Sequence, residues 1–329
     1  MTTERRTVLA ALAAAIGGAP LAPGSAAAQA EWRPDRPIRV VVPFAPGGAT
    51  DTMARLVGEA ISGPLGQSVV VENRTGAGAT IGAEHVARSA PDGYTLLMGT
   101  NTPMAAAPAI HPNLSYHPLR DFAAVAIVAL SPNMAAVHPS VPANTLQEFI
   151  AHARANPGRI SYGSAGVGSS QHISGALLAH LAGLEMTHVA YRGGAPAALD
   201  LVAGRVQLVI NPLIEVLPYV RDGKIRPLGA TTRQRHPLYP DLPSIGEILP
   251  GFEVASWQGL FAPAGTPPEA VERIAREAVA VMNQPAMRRR IEELGSIPVA
   301  MGAEVAARFL AAEVPKWAEL VRISGARLE

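Results

Sequence analysis

Two glycine-rich turns are the parts of this sequence best equipped for chemistry. Pro43-Phe44-Ala45-Pro46-Gly47-Gly48 follows the β-branched run Ile38-Arg39-Val40-Val41-Val42 and precedes Met53, Leu56, Val57, Ala60 and Ile61, the i, i+3, i+4, i+7, i+8 spacing of a helix face. Gly163-Ser164-Ala165-Gly166-Val167-Gly168-Ser169-Ser170 stands in the same place between the short strand-like Arg159-Ile160-Ser161-Tyr162 and a helical pattern over residues 173–184. The first turn of a helix leaves backbone N–H groups unpaired and carries partial positive charge, so it can hold an anion without a lysine. Glycines let a ligand approach the chain with no Cβ in the way, and Ser164, Ser169 and Ser170 add hydroxyl donors. Either turn alone reads as a tight surface turn; the repetition favours two turns that face each other and grip a small carboxylate.

Neighbouring residues extend the pattern and leave alternatives open. His172 falls in the first helical turn after the serine loop, where it could bond a ligand or cap its own loop. Arg192, in Tyr191-Arg192-Gly193-Gly194, could form a two-point contact with a carboxylate or be a solvated surface arginine.

Enzyme chemistry finds little support. Asn73-Arg74-Thr75-Gly76-Ala77-Gly78-Ala79-Thr80-Ile81-Gly82 follows a strand and opens a helix as in some nicotinamide-dependent reductases, and the reductase alternative rests on residues 76–82 alone. No tyrosine is followed by a lysine four residues on, so no acid or base partner is placed. The serine-hydrolase elbow G-x-S-x-G fails because Tyr162 stands where its first glycine belongs. The nine histidines are scattered without metal-ligand spacing, and His172 and His180, eight residues apart, lie too far along one helix to share a metal. The absence of cysteine excludes a disulfide framework, thiol catalysis and a lipid-bearing cysteine. The reading is therefore a binding protein with no metal and no cofactor. Basic and acidic residues nearly cancel (27 against 26), and Arg288-Arg289-Arg290 is interleaved with apolar residues at helical spacing, so no nucleic-acid surface is expected.

The elements that must position these turns alternate between strands and helices, which argues an α/β fold. Strands are expected at 67–72, 94–98, 186–190, 206–211 and 224–230, with a buried apolar run at 122–130 that crosses between lobes. Helices are expected at 78–90, 286–294 and 303–324, the last kinked or divided by Pro315. Residues 1–30 read as an export signal: Arg5-Arg6, an apolar run from Val8 to Ile16, and Ala28-Gln29-Ala30 before cleavage after Ala30. That run is too short for a bilayer span of about twenty residues, so it is not an anchor. The twin arginines suggest the twin-arginine route, although Glu4 occupies a place where a small hydroxyl residue is usual. The expected organisation is a first lobe of residues 31–132 and 255–329 and a second lobe of residues 133–254, in a protein free in the periplasm.

The ordered set Pro43-Phe44-Ala45-Pro46-Gly47-Gly48-Ala49-Thr50-Asp51, Asn73-Arg74, Pro91-Asp92-Gly93-Tyr94-Thr95-Leu96-Leu97, Tyr191-Arg192-Gly193 and Phe261-Ala262-Pro263-Ala264-Gly265-Thr266-Pro267 resembles the Bug family, the periplasmic solute receptors of tripartite tricarboxylate transporters. The resemblance implies a two-lobed type II periplasmic-binding-protein (Venus flytrap) fold with crossovers near Leu130 and Ser256. It further implies a monomer that captures a small carboxylate between the lobes, for the membrane components of a transporter or for a signalling partner. The binding positions it implies are Phe44, Ala45, Gly48, Thr100, Asn101, Thr102, Ser164, Gly168, Ser169, His172, Arg192 and Asn211. Many relatives carry aspartate where this chain has Asn211, so a plain carboxylate is expected here over an amino acid.

Overall fold

A computed structural model describes residues 32–236 and 239–326; the expected export signal lies outside them. The strands are β1 Ile38–Val42, β2 Val69–Asn73, β3 Thr95–Thr100, β4 Phe122–Val137, β5 Ile160–Ser164, β6 Met186–Ala190, β7 Leu208–Pro212, β8 Arg226–Ala230, β9 Ala255–Pro263 and β10 Ile297–Met301. They run in the order β2-β1-β3-β9-β4-β7-β5-β6, with β8 and β10 also pairing β4.

This order contains two sheets threaded on one strand. The first part of β4 pairs antiparallel with β9 from Phe122↔Pro263 to Pro132↔Ala255 and also with β10. Its last part pairs with β7 from Asn133↔Pro212 to Val137↔Leu208, and with β8. In the first sheet β2, β1 and β3 run parallel, and in the second β6, β5 and β7 do, as strand–helix–strand units require. The result is the two-lobed periplasmic-binding-protein architecture.

The sequence pattern ends the central strand at residue 130, but β4 continues for seven residues to Val137. Polar Ser131 and Asn133 interrupt the apolar run, yet both are buried, because their side chains find partners inside the protein. Ser131 Oγ donates to Gln258 Oε1 at 2.8 Å, and Asn133 Nδ2 donates to Ser170 Oγ at 3.1 Å.

The helix Ala49–Leu65 buries Met53, Leu56, Val57 and Ile61 against the first sheet and stops at left-handed Gly66. The helix expected over 78–90 is shorter, Thr80–Ala87, because Ala77, Gly78 and Ala79 all have positive φ (45°, 63° and 73°). A Cβ on Gly78 would lie 2.9 Å from the Val167 carbonyl oxygen, so this turn abuts the loop that precedes Ser170. The C-terminal helix Ala303–Ser324 runs unbroken through Pro315. Among the described residues no helix is long and apolar enough to cross a membrane.

One buried carboxylate, Glu313, fastens that helix to β9 and also takes an indole N–H from its own helix. Trp257 Nε1 of β9 and Trp317 Nε1 both donate to Glu313 Oε2, at 2.9 and 2.8 Å, and all three residues are buried. Removing the acceptor strands two buried donors. Glu313→Ala is therefore expected to lower stability by about 2–4 kcal/mol in urea denaturation, and Glu313→Gln, which keeps an acceptor oxygen, by less.

Candidate functional site

The two sheets meet around a small cavity of about 30 Å³. Three helices begin at its wall: Ala49–Leu65, Ser170–Ala182 and Gly194–Val202. A fourth, Leu213–Arg221, brings in Glu215 from its first turn. Thr100, Thr102, Ser256 and Gln258 supply polar groups from the ends of β3 and from β9, Thr102 opening a π-helical turn that runs to Ala106.

Of the positions named from the sequence, Phe44, Ala45, Gly48, Thr100 and Thr102 line this cavity. Asn101 stands behind the wall, buried, its Oδ1 accepting from Ser256 Oγ at 2.6 Å. Asn211 is also buried, its Nδ2 donating to the Gly194 carbonyl at 2.8 Å. The Arg192 side chain is exposed, while its carbonyl accepts the Ala45 N–H at 3.0 Å and so ties the first glycine turn to the segment that opens the Gly194 helix.

Ser164, Gly168, Ser169 and His172 shape the loop itself. Ser164 Oγ accepts the Gly166 N–H at 3.1 Å and lies 2.6 Å from His188 Nε2. Ser169 Oγ caps the following helix by accepting the His172 N–H, and His172 Nδ1 accepts the Gly168 N–H, both at 3.1 Å. The residues from this segment that face the cavity are Ala165, Ser170 and Gln171. The hydroxyl of Ser170 was legible as part of the serine run, whereas Gln171, Gln258 and Glu215 carried no sequence signal. An acid in a first helical turn is ordinarily a helix-dipole partner, which is what Glu215 resembles in sequence.

Burial dominates the electrostatics. The rings of His172 and His188 stack with centroids 3.9 Å apart. Burial, reinforced by His188, pushes His172 down to about 3, and burial pushes His188 down to about 4, so both are neutral at ordinary pH. Glu215 is partly buried as a residue, but its carboxyl is shielded; that burial pushes it up to about 7 against the lowering bond from the Ala49 N–H. Among the described residues no group of three or more histidines and acids could hold a metal ion.

The sequence also matches the family described as "Tripartite tricarboxylate transporter family receptor" over residues 53–325. The chain belongs to that family. The receptor is 33% identical to Protein BugT of Bordetella pertussis, over 93% of this chain and 94% of that one. Among solved structures, it resembles R. palustris Rpa4515 with adipate at a TM-score of 0.87 and 36% identity, covering 90% of this chain and 99% of that one. It resembles MatC from Rhodopseudomonas palustris with bound malate at 0.83 and 36%, covering 88% and 99%. The receptor is thus a Bug-type solute-binding protein and not an enzyme, and Gly78 of the 76–82 run packs against the Val167 carbonyl.

Two outcomes follow for stability. As pH falls below about 6.5 an unfolded chain protonates both stacked histidines while the folded receptor does not until near 4, so stability is lost over that interval. Glu215 acts in the opposite sense: from 4.5 to about 7 the folded form keeps a proton that the unfolded chain has released, so its contribution is lost as pH rises. Replacing His188 by Phe is expected to flatten the fall in unfolding free energy between pH 7 and pH 5 by roughly 1–2 kcal/mol; an unchanged slope would show that the pair is not held neutral. A Cβ on Gly194 would collide with Glu215 Oε2, so Gly194→Ala should cost about 1–3 kcal/mol in thermal unfolding. Gly63→Ala, in the last turn of the Ala49–Leu65 helix with nothing within 4 Å, should cost nothing.

Proposed function

We propose that this receptor captures a small carboxylate in the cavity between its sheets and delivers it to the membrane components of a tripartite tricarboxylate transporter, working as a monomer in the periplasm after export directed by residues 1–30. The observation that carries the reading is the convergence of three helix N-termini and several hydroxyl and amide donors on one cavity whose lining contains no lysine or arginine. Such a wall binds an anion through backbone N–H groups and dipoles. It also exacts less desolvation than a buried guanidinium would, which suits a site that must release its ligand. That two related receptors are known with adipate and with malate supports a carboxylate as the solute class. The positions proposed to meet the ligand directly are Phe44, Ala45, Gly48, Thr100 and Thr102 from one side, with Ser170, Gln171 and Gly194 from the other. The proposed lobes are residues 31–132 with 255–329, and residues 133–254.

Purified mature receptor is expected to show a ligand-dependent rise in melting temperature with at least one member of a panel of mono-, di- and tricarboxylates, aromatic acids and acidic amino acids. A ligand at a hundred times its dissociation constant adds about 2.7 kcal/mol of stability, well above detection. A flat response across the panel would remove the carboxylate assignment, and loss of uptake of the identified ligand on deletion of the gene would test the transport role.

A further inference from the structure

The cavity lining contains a single ionisable side chain, Glu215, and its surroundings define what a ligand must bring. Its Oε1 accepts the Ala49 N–H across the cleft at 2.9 Å. Its Oε2 is shut off from solvent and has no hydrogen-bond partner. The carboxyl lies between the two turns: a Cβ on Gly48 would come within 3.2 Å of Oε1, and one on Gly194 would overlap Oε2. Glycine at both positions is what admits it.

Among the described residues no lysine, arginine or histidine pairs with this carboxylate. On the Ala49 helix, Asp51 is tied to Gly47 N–H, Arg55 and Asn73, and on the Gly194 helix Asp200 is tied to Tyr191 and Arg205. Arg221 lies at the far end of Glu215's own helix, and β4 and β7, which pack against that helix, carry no titratable residue. A dicarboxylate lacking any positive group would place two further negative charges beside Glu215 where only neutral donors are present. A ligand with an ammonium group beside its carboxylate removes that conflict, because the ammonium supplies both the missing hydrogen-bond donor and the opposite charge.

We propose that the ligand is an amino carboxylate, whose ammonium group donates to Glu215 Oε2 while its carboxylate is held at the turns that open the Ser170 and Gly194 helices. This rests on the carboxylate reading above and narrows it. It also moves the acid: Asn211 is neutral and engaged with the Gly194 carbonyl, and the negative charge reaches the cleft one helical turn later.

The test is calorimetric titration of the full mature receptor at pH 8 with matched pairs that differ only in nitrogen: succinate and aspartate, glutarate and glutamate, butyrate and 2-aminobutyrate. At least one amino member is expected to bind ten-fold or more tightly than its partner. Glu215→Gln should weaken that member at least ten-fold and reduce the preference to within about three-fold. In the unmodified receptor the affinity for the amino ligand should fall between pH 8 and pH 6, as Glu215 gains its proton. Should the variant fail to fold by circular dichroism, that pH dependence decides. Carboxylates that bind with no preference for nitrogen, or a preference that survives Glu215→Gln, overturn this proposal and leave the carboxylate reading standing. Failure of every carboxylate to bind, with or without nitrogen, overturns both.

Discussion

Everything in this fold hangs on β4, a single strand of sixteen residues that serves two sheets. A β ladder needs its backbone paired along its length, and β4 changes partners from β9 and β10 to β7 and β8 between Pro132 and Asn133. At that change the strand turns polar, and its side chains reach Gln258, Ser296 and Ser170. Those are residues of, or next to, the cavity wall. The strand that joins the sheets therefore also fixes how the wall is assembled, and the site is a consequence of the crossover.

The wall then solves an electrostatic problem with backbone. Helix starts at Ala49, Ser170 and Gly194 present N–H groups, while the side chains around them supply hydroxyls and amides. One of these donors, at Ala49, already meets a carboxylate from the opposite side of the cleft. Glu215 thus shows within the protein the kind of contact that the proposed site offers an external acid, and it leaves the one ionisable group of the cavity lining acidic.

Much of the scaffold was legible because local signals and tertiary demands agreed. β1 and the helix after it follow from a β-branched run, two glycines and an i, i+4 apolar face. Agreement failed where tertiary partners decide the outcome. Ser131 and Asn133 look like a strand end until their distant acceptors are known. Gly78 and Ala79 fall in the expected helix, but their backbone is left-handed where Gly78 packs against the Val167 carbonyl. In the site, the glycine turns could be found from spacing. Glu215 could not: its function comes from the neighbours that the fold brings to it, and an acid in a first helical turn has an ordinary local explanation. Conversely, Ser164, Ser169 and His172 drew attention as ligand groups, while their hydrogen bonds run within the loop and to His188.

The pair of indoles on Glu313 gives the protein an optical handle. The chain has three tryptophans, and Trp257 sits in β9 between Ser256 and Gln258, both in the cavity wall. Its N–H shares one carboxylate oxygen with Trp317, so a small displacement of β9 alters the polar environment of two buried emitters together. Intrinsic fluorescence of this receptor therefore reports on the surroundings of β9, the strand that carries Ser256 and Gln258 into the cavity wall.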